Sequence, residues 1–231
     1  MRVDKFFSSM GKLTRSECLK AVKCGQVTVN GQVIKKADFK VDPDNDIICL
    51  SGEQIKYKKF IYIIMNKPQG VVSATQDLRD KTLIDLLPPE MKKLDLFPCG
   101  RLDKDTLGLV ILTNDGASAH HALSPKSHAE KKYLFKTADP FSDDDVAAIE
   151  GGILLKDGYE TKPCKIVRTS DSSGEITLTE GKYHEIKRMF GARGNKIIYL
   201  ERISFKGITL GDLQVGNWRY LTDDEERLFT E

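Results

Sequence analysis

The apolar residues of this chain fall in short runs separated by polar turns, a spacing that predicts many strands and few long helices. The clearest run is Leu109–Leu112, closed by the Asn114-Asp115-Gly116 turn, and it reads as a buried strand. Phe60–Met65, Val71–Ala74, Tyr133–Ala138, Cys164–Thr169, Glu175–Thr179, Ile197–Glu201 and Trp218–Leu221 read as further strands. Helical patterns break in near 82–87, 116–123, 142–150 and 183–193, with Thr82, Asp115 and Ser142 as side-chain caps for the first three. Strands this numerous with scattered helices predict an α+β domain on a large mixed, mainly antiparallel sheet with flanking helices.

The first 43 residues follow a different rhythm. Arg2 to Ser9 is a short helical pattern, and Thr14-Arg15-Ser16-Glu17 forms a capping box for a second helix. Leu19 and Val22 supply its apolar face, and Gly25 marks its stop. Val27-Thr28-Val29, the Asn30-Gly31 turn and Gln32-Val33-Ile34 then form a hairpin, because Asn-Gly suits a type I′ turn. The pattern divides the chain into a module at 1–43, the end of that module with a linker at 44–59, and a larger domain at 60–231.

Charge sharpens this division. Net charge is only +2, yet residues 1–41 hold nine Lys/Arg against three Asp/Glu, while residues 60–231 hold 24 against 27. A basic module on a slightly acidic body suggests docking to a polyanion, set against the plainer reading of a solvated Lys-rich face. No apolar run reaches the ~18 residues of a membrane span, and the N-terminus lacks the apolar core of a signal peptide. The five cysteines are odd in number and show no Cys-x-x-Cys, which favours reduced thiols in a cytoplasmic protein.

Candidate chemistry concentrates at Gly100-Arg101-Leu102-Asp103-Lys104-Asp105-Thr106-Leu107-Gly108-Leu109. A charged turn set against a buried strand can hold a reactive carboxylate in a cleft, although an Asp-x-Asp pair alone is usually a solvated loop. This string resembles the signature of the RsuA-type pseudouridine synthases. Three other stretches match in order: Asn66-Lys67-Pro68-x-Gly70, Glu130-Lys131-Lys132-Tyr133, and Glu180-Gly181-Lys182-Tyr183-His184-Glu185-Ile186-Lys187-Arg188-Met189-Phe190. The helix pair and hairpin at the N-terminus resemble an S4 RNA-binding domain. The resemblance spans essentially the whole chain.

The resemblance implies an RNA isomerase that breaks the ribose C1′ to uracil N1 bond and forms a C1′–C5 bond. It implies Asp103 as the catalytic carboxylate, acting as nucleophile or as base. It further implies Tyr133 as a stacking platform for a flipped-out uracil and Lys187 as the cation paired with Asp103. A cation within about 4–6 Å favours an ionised carboxylate. On a helix, His184, Lys187 and Arg188 would share one face while Tyr183, Ile186 and Phe190 pack on the other side. Arg101, Ile186 and Arg188 would contact the substrate at the pocket. Arg2, Lys5, Arg15, Lys20 and Lys23 would contact RNA from the S4 helices.

Other chemistries fit less well. Asp103 and Asp105 lie too close in sequence for a glycosidase pair spanning a sugar, and such an enzyme needs an activated water. No nucleotide-binding glycine motif is present. His120, His121 and His128 match no usual zinc spacing. The resemblance implies an enzyme that needs no metal or cofactor and acts on ribosomal RNA or a pre-ribosomal particle, and a monomer is expected. Length and the lack of a long basic tail favour a uridine in small-subunit 16S rRNA. A large-subunit 23S rRNA target, or a non-catalytic rRNA-binding assembly factor, are the alternatives. An assembly factor would need no Asp103, Tyr133 and Lys187 together.

Overall fold

The structure, a computed structural model, describes residues 1–231. The chain forms two compact units, one of residues 1–61 with 87–96 and one of residues 62–86 with 97–231. In the first, α1 (Val3–Ser8) and α2 (Arg15–Lys23) lie against each other. The Thr14 capping box starts α2: Glu17 N–H donates to Thr14 Oγ1 at 3.2 Å, and Thr14 N–H donates to Glu17 Oε2 at 2.7 Å. The buried face of α2 is Cys18, Ala21 and Val22, whereas Leu19 is exposed. Cys18 and Val22 are one turn apart, so they set the stripe and Leu19 falls outside it.

A four-stranded antiparallel sheet follows, in the order β2 (Gln32–Val33), β1 (Val27–Val29), β3 (Ile48–Leu50), β4 (Glu53–Gln54). Asn30 and Gly31 both take positive φ in the hairpin turn, as a type I′ turn requires. Residues 48–54 therefore belong to this sheet and are not linker. The Asn30 side chain explains the pairing: it donates to Asp46 at 2.8 Å and accepts from Ile47 N–H at 2.9 Å, which sets β3 beside β1. β4 is exposed at both positions, so no hydrophobic alternation announces it.

The second unit is built on nine strands. Those introduced in chain order are β5 (Tyr62–Lys67), β6 (Phe97–Cys99), β7 (Leu107–Thr113), β8 (Lys131–Thr137), β9 (Lys165–Ser170), β10 (Ser173–Leu178), β11 (Ile197–Phe205), β12 (Ile208–Thr209) and β13 (Trp218–Tyr220). The path runs β13-β5-β7-β11-β8-β10-β9, with β6 on β7 and β12 on β11. Only β7 and β11 pair in parallel, so the sheet is mixed and mainly antiparallel. Leu109, Val110, Ile111 and Leu112 are all fully buried, each contributing about 1.5–3 kcal/mol. β7 is thus a rigid support for whatever precedes it.

Four helices flank the sheet: α3 (Gly116–Leu123), α4 (Asp143–Glu150), α5 (Glu185–Ala192) and α6 (Asp223–Thr230). Asp115 caps α3 and Ser142 caps α4. Val71–Ala74 is not a strand but a single bridge from Val72 to Thr82, and residues 84–86 make one 3-10 turn in place of a helix. The sequence pattern missed α6, whose Thr222–Glu225 capping box opens an acidic helix with one buried anchor, Phe229, against Tyr62. No helix is long and apolar enough to cross a membrane.

Candidate active site

Residues 100–106 form the loop from β6 into β7, and three devices hold it in place. Leu102 N–H donates to Ser73 Oγ and Ser73 Oγ–H donates to Leu102 O, both at 3.0 Å. Lys67, fully buried at the end of β5, donates its ammonium to the carbonyls of Pro68 (3.1 Å), Lys104 (3.2 Å) and Thr106 (2.7 Å). Gly108 then takes φ +101°, and a Cβ there would lie 2.2 Å from the Arg202 carbonyl on β11. Only glycine permits that close parallel pairing.

Lys67 is a support of this loop that the sequence reading quoted within a motif without giving it a role. Burial pulls its pKa down to about 8, while Asp105 and Asp103 act to raise it. Three carbonyl acceptors need three N–H donors, which only the ammonium form supplies. A lysine at the end of an apolar strand would ordinarily be read as exposed.

The held loop presents Asp103 and Asp105 to α5. Lys187 Nζ lies 2.9 Å from Asp103 Oδ2 and 2.6 Å from Asp105 Oδ1. Burial would raise the Asp105 carboxyl, but the hydrogen bond and charge of Lys187 outweigh it and hold it below its ordinary range. Burial likewise opposes the Lys187 charge, and the two aspartates override it, so its pKa rises. His184 Nε2 stands 3.4 Å from Asp103 Oδ1 on the other side.

α5 is positioned by its apolar face. Ile186, Met189 and Phe190 are buried, and Phe190 meets Phe135 of β8 at 4.8 Å and Phe141 at 5.7 Å between ring centroids. Such aromatic pairs add about 0.5–1.5 kcal/mol each beyond area burial. Lys187 follows Ile186 and is turned toward the loop. Tyr133, on the buried face of β8, completes a pocket with Arg101, Asp103, Thr106, Ile186 and Lys187 in its wall. The Thr106 hydroxyl is buried there without a hydrogen-bond partner. Arg101 is exposed at the rim and makes no ion pair.

Two expectations fail at α5. Arg188 does not enter the pocket: its Nη1 donates to Asp157 at 2.5 Å, because neighbouring helix positions point about 100° apart. Tyr183 does not pack on the sheet. The helix begins at Glu185, and His184 takes a left-handed conformation (φ 48°, ψ 35°), which turns both residues out of the helical phase. His184 still reaches Asp103 on the side it was expected to share with Lys187, although the sequence reading gave it no role.

In the same wall, Glu185 is buried beside Glu180 of the preceding segment. Glu185 Oε2 accepts from Lys182 N–H at 2.8 Å, while Oε1 has no donor. Glu180 accepts from Tyr159 O–H at 2.5 Å and from Lys162 N–H at 2.8 Å. Glu180 is thus the better supplied carboxylate, and the proton belongs on Glu185. Burial first, and then Glu180, push the Glu185 carboxyl up to about 8.

In the N-terminal unit Lys5, Arg15, Lys20 and Lys23 are exposed on α1 and α2. Arg2 differs, since Asp4 takes its guanidinium in two hydrogen bonds of 3.0 and 2.7 Å. Arg2 therefore offers less free charge than the sequence suggests.

A basic helix-pair module, and a mixed-sheet domain whose pocket sets a cation-held carboxylate beside an aromatic wall, define an RNA-modifying enzyme. Residues 61–192 match the RNA pseudouridylate synthase family and residues 1–48 the S4 domain. The chain is 44% identical to the uncharacterized RNA pseudouridine synthase YtzG of Bacillus subtilis, over 100% of this chain and 99% of that protein. It is 37% identical to ribosomal small subunit pseudouridine synthase A of Haemophilus influenzae, over 97% of each. With the Escherichia coli K12 protein of the same name the identity is 36%, over 97% of this chain and 98% of that one. The crystal structure of a pseudouridylate synthase superposes with TM-score 0.71 at 37% identity, over 99% of both chains. The chain belongs to the RNA pseudouridine synthase family, and within it to the RsuA type.

Proposed function

We propose that this enzyme isomerises a uridine of small-subunit ribosomal RNA, with Asp103 as its catalytic carboxylate. The observation that carries the chemistry is the Lys187 ammonium between Asp103 and Asp105, in a pocket walled by Tyr133. The names of the Haemophilus and Escherichia relatives support the small-subunit target.

In the reaction the C1′–N1 bond breaks, uracil turns, and C5 bonds to C1′; the C5 proton leaves and N1 gains one. Asp103 is placed to attack or to take a proton, and Lys187 fixes its orientation while neutralising its charge. Tyr133 offers an apolar ring against which a flipped uracil can lie. Ile186 keeps the wall apolar, which limits water during the interval when the base is detached. Arg101 at the rim suits a phosphate or the gap left by the flipped base. Lys5, Arg15, Lys20 and Lys23 supply docking charge.

The test is to map pseudouridine across 16S and 23S rRNA from cells with the protein, without it, and with Asp103→Asn. One small-subunit uridine should lose its modification in both deficient strains. An unchanged 16S map would overturn the target, and full modification by Asp103→Asn would overturn the carboxylate's role.

A further inference from the structure

Tyr183 is oddly placed for an aromatic ring. Of the seven tyrosines, it alone is left mostly in solvent, at 70% exposure. Yet it is held in one place: its ring lies on the His184 imidazole at 3.8 Å between centroids, with only 18° between planes. His184 in turn lines the catalytic pocket and reaches Asp103 at 3.4 Å. The left-handed backbone at His184 directs this pair out of the helix that follows. A stacked column therefore runs from the carboxylate outward, ending in an aromatic face open to water.

A nucleotide that swings into a pocket leaves its neighbours in the strand without a stacking partner on one side. Those neighbours must lie just outside the mouth, because the backbone linking them to the target is short. An aromatic ring fixed at the mouth can replace the lost partner, and every base has a π-face to offer. Charge is arranged to suit the backbone there, with Arg101 at the rim and the exposed Lys182 next to Tyr183 in the chain.

We propose that Tyr183, backed by His184, is a stacking subsite for an unpaired nucleobase adjacent to the target uridine. The subsite rests on the reading of RNA as substrate, and it adds a determinant of which sequence context the enzyme accepts. A ring that served only to prop His184 would have no reason to keep its outer area in water.

The experiment compares wild type, Tyr183→Phe and Tyr183→Ala, as full-length proteins, on 16S and 23S rRNA from cells lacking the enzyme. On the RNA that the wild type modifies, Tyr183→Ala should bind about 5- to 150-fold more weakly, the range expected for one base–aromatic stack. Its single-turnover rate at saturating RNA should stay within about twofold, and Tyr183→Phe should restore affinity. In a short RNA around the modified uridine, removing one neighbouring base should weaken wild-type binding equally and add nothing to Tyr183→Ala. Wild-type affinity in Tyr183→Ala would overturn the subsite. So would a loss of rate with affinity intact, or base removals that all add to the substitution. If the wild type modifies neither RNA, the functional reading fails separately. The affinities for the same RNAs then decide: equal values for Ala and Phe refute the platform, and an aromatic-dependent gap of fivefold or more sustains it.

Discussion

Replacing Glu185 by Gln should stabilise this protein above neutral pH and leave it nearly unchanged in mild acid. The Glu185 carboxyl moves from an ordinary 4.5 to about 8 on folding, so the folded state favours its protonated form. A raised folded pKa gives stability that is fully present below pH 4.5 and lost as pH climbs through 8. At 1.36 kcal/mol per pH unit this span corresponds to on the order of 5 kcal/mol. The Glu180 carboxyl, which burial would raise and its hydrogen-bond donors lower, keeps its Tyr159 and Lys162 donors in both proteins, so its own shift cancels in the difference. Gln keeps the shape, never ionises, and can donate to Glu180 from its amide. Melting should therefore rise by roughly 10–20 °C over wild type at pH 8.5–9, at about 2–4 °C per kcal/mol for a chain of this size, and the gap should narrow to about 2–3 °C at pH 5. Calorimetry across pH 5–9 reads this directly. Lys67 also titrates near 8, but it is common to both proteins and cancels in the difference. Tyr159, Arg188 and Lys131, the other ionisable groups around Glu185, cancel in the same way. A variant that tracks wild type at every pH, or melts lower throughout, would refute the shared-proton reading.

Other residues of the site make equally direct expectations. Lys187→Met should slow single-turnover isomerisation at saturating RNA by about 100-fold or more, roughly 3 kcal/mol, and Lys187→Arg should fall between, since a planar fork does not replace a compact ammonium; a wild-type rate in the Met variant would exclude the pairing role. Lys67→Met leaves three loop carbonyls without their donor and should cost at least about 2–4 kcal/mol in urea unfolding, with a matching loss of rate; unchanged stability would show that the clamp is dispensable. Substituting Lys5, Arg15, Lys20 and Lys23 by Ala should flatten the dependence of log affinity on log salt by about 3, at 0.7–0.9 per phosphate contact, and an unchanged slope would remove the S4 helices from RNA docking.

The sequence showed the large elements where burial is one-sided or complete. β7 announced itself as an unbroken apolar run, and α3 and α4 through Asp115 and Ser142. It failed where local hydrogen bonding, not hydrophobic pattern, makes the structure. β3 and β4 form because Asn30 reaches across to 46–47, and α6 forms on a capping box with one buried ring. Asp103, Tyr133 and Lys187, picked out by motif spacing alone, line one pocket, because that spacing survives without geometry. Tyr183 was misplaced because one left-handed residue at 184 resets the helical phase, and His184, though put on the face of Lys187, was given no role. Arg188 was misplaced because adjacency in sequence is divergence on a helix. Lys67 was overlooked because nothing in an apolar strand says that its last lysine will find three carbonyls.

The wiring of the sheet also sets an order in time. Asp105 precedes the lysine that neutralises it by 82 residues, and Asn66 on β5 bonds to Leu213 across 147. At roughly 5–20 residues per second of synthesis, the carboxylates leave the ribosome about 4–16 s before their cation. Until then two like charges face each other on a loop whose supporting strand has no parallel partner. A nascent chain that ends short of β11 holds the motif without the site. Each molecule thus becomes an enzyme late in its own synthesis, when almost all of its chain has emerged.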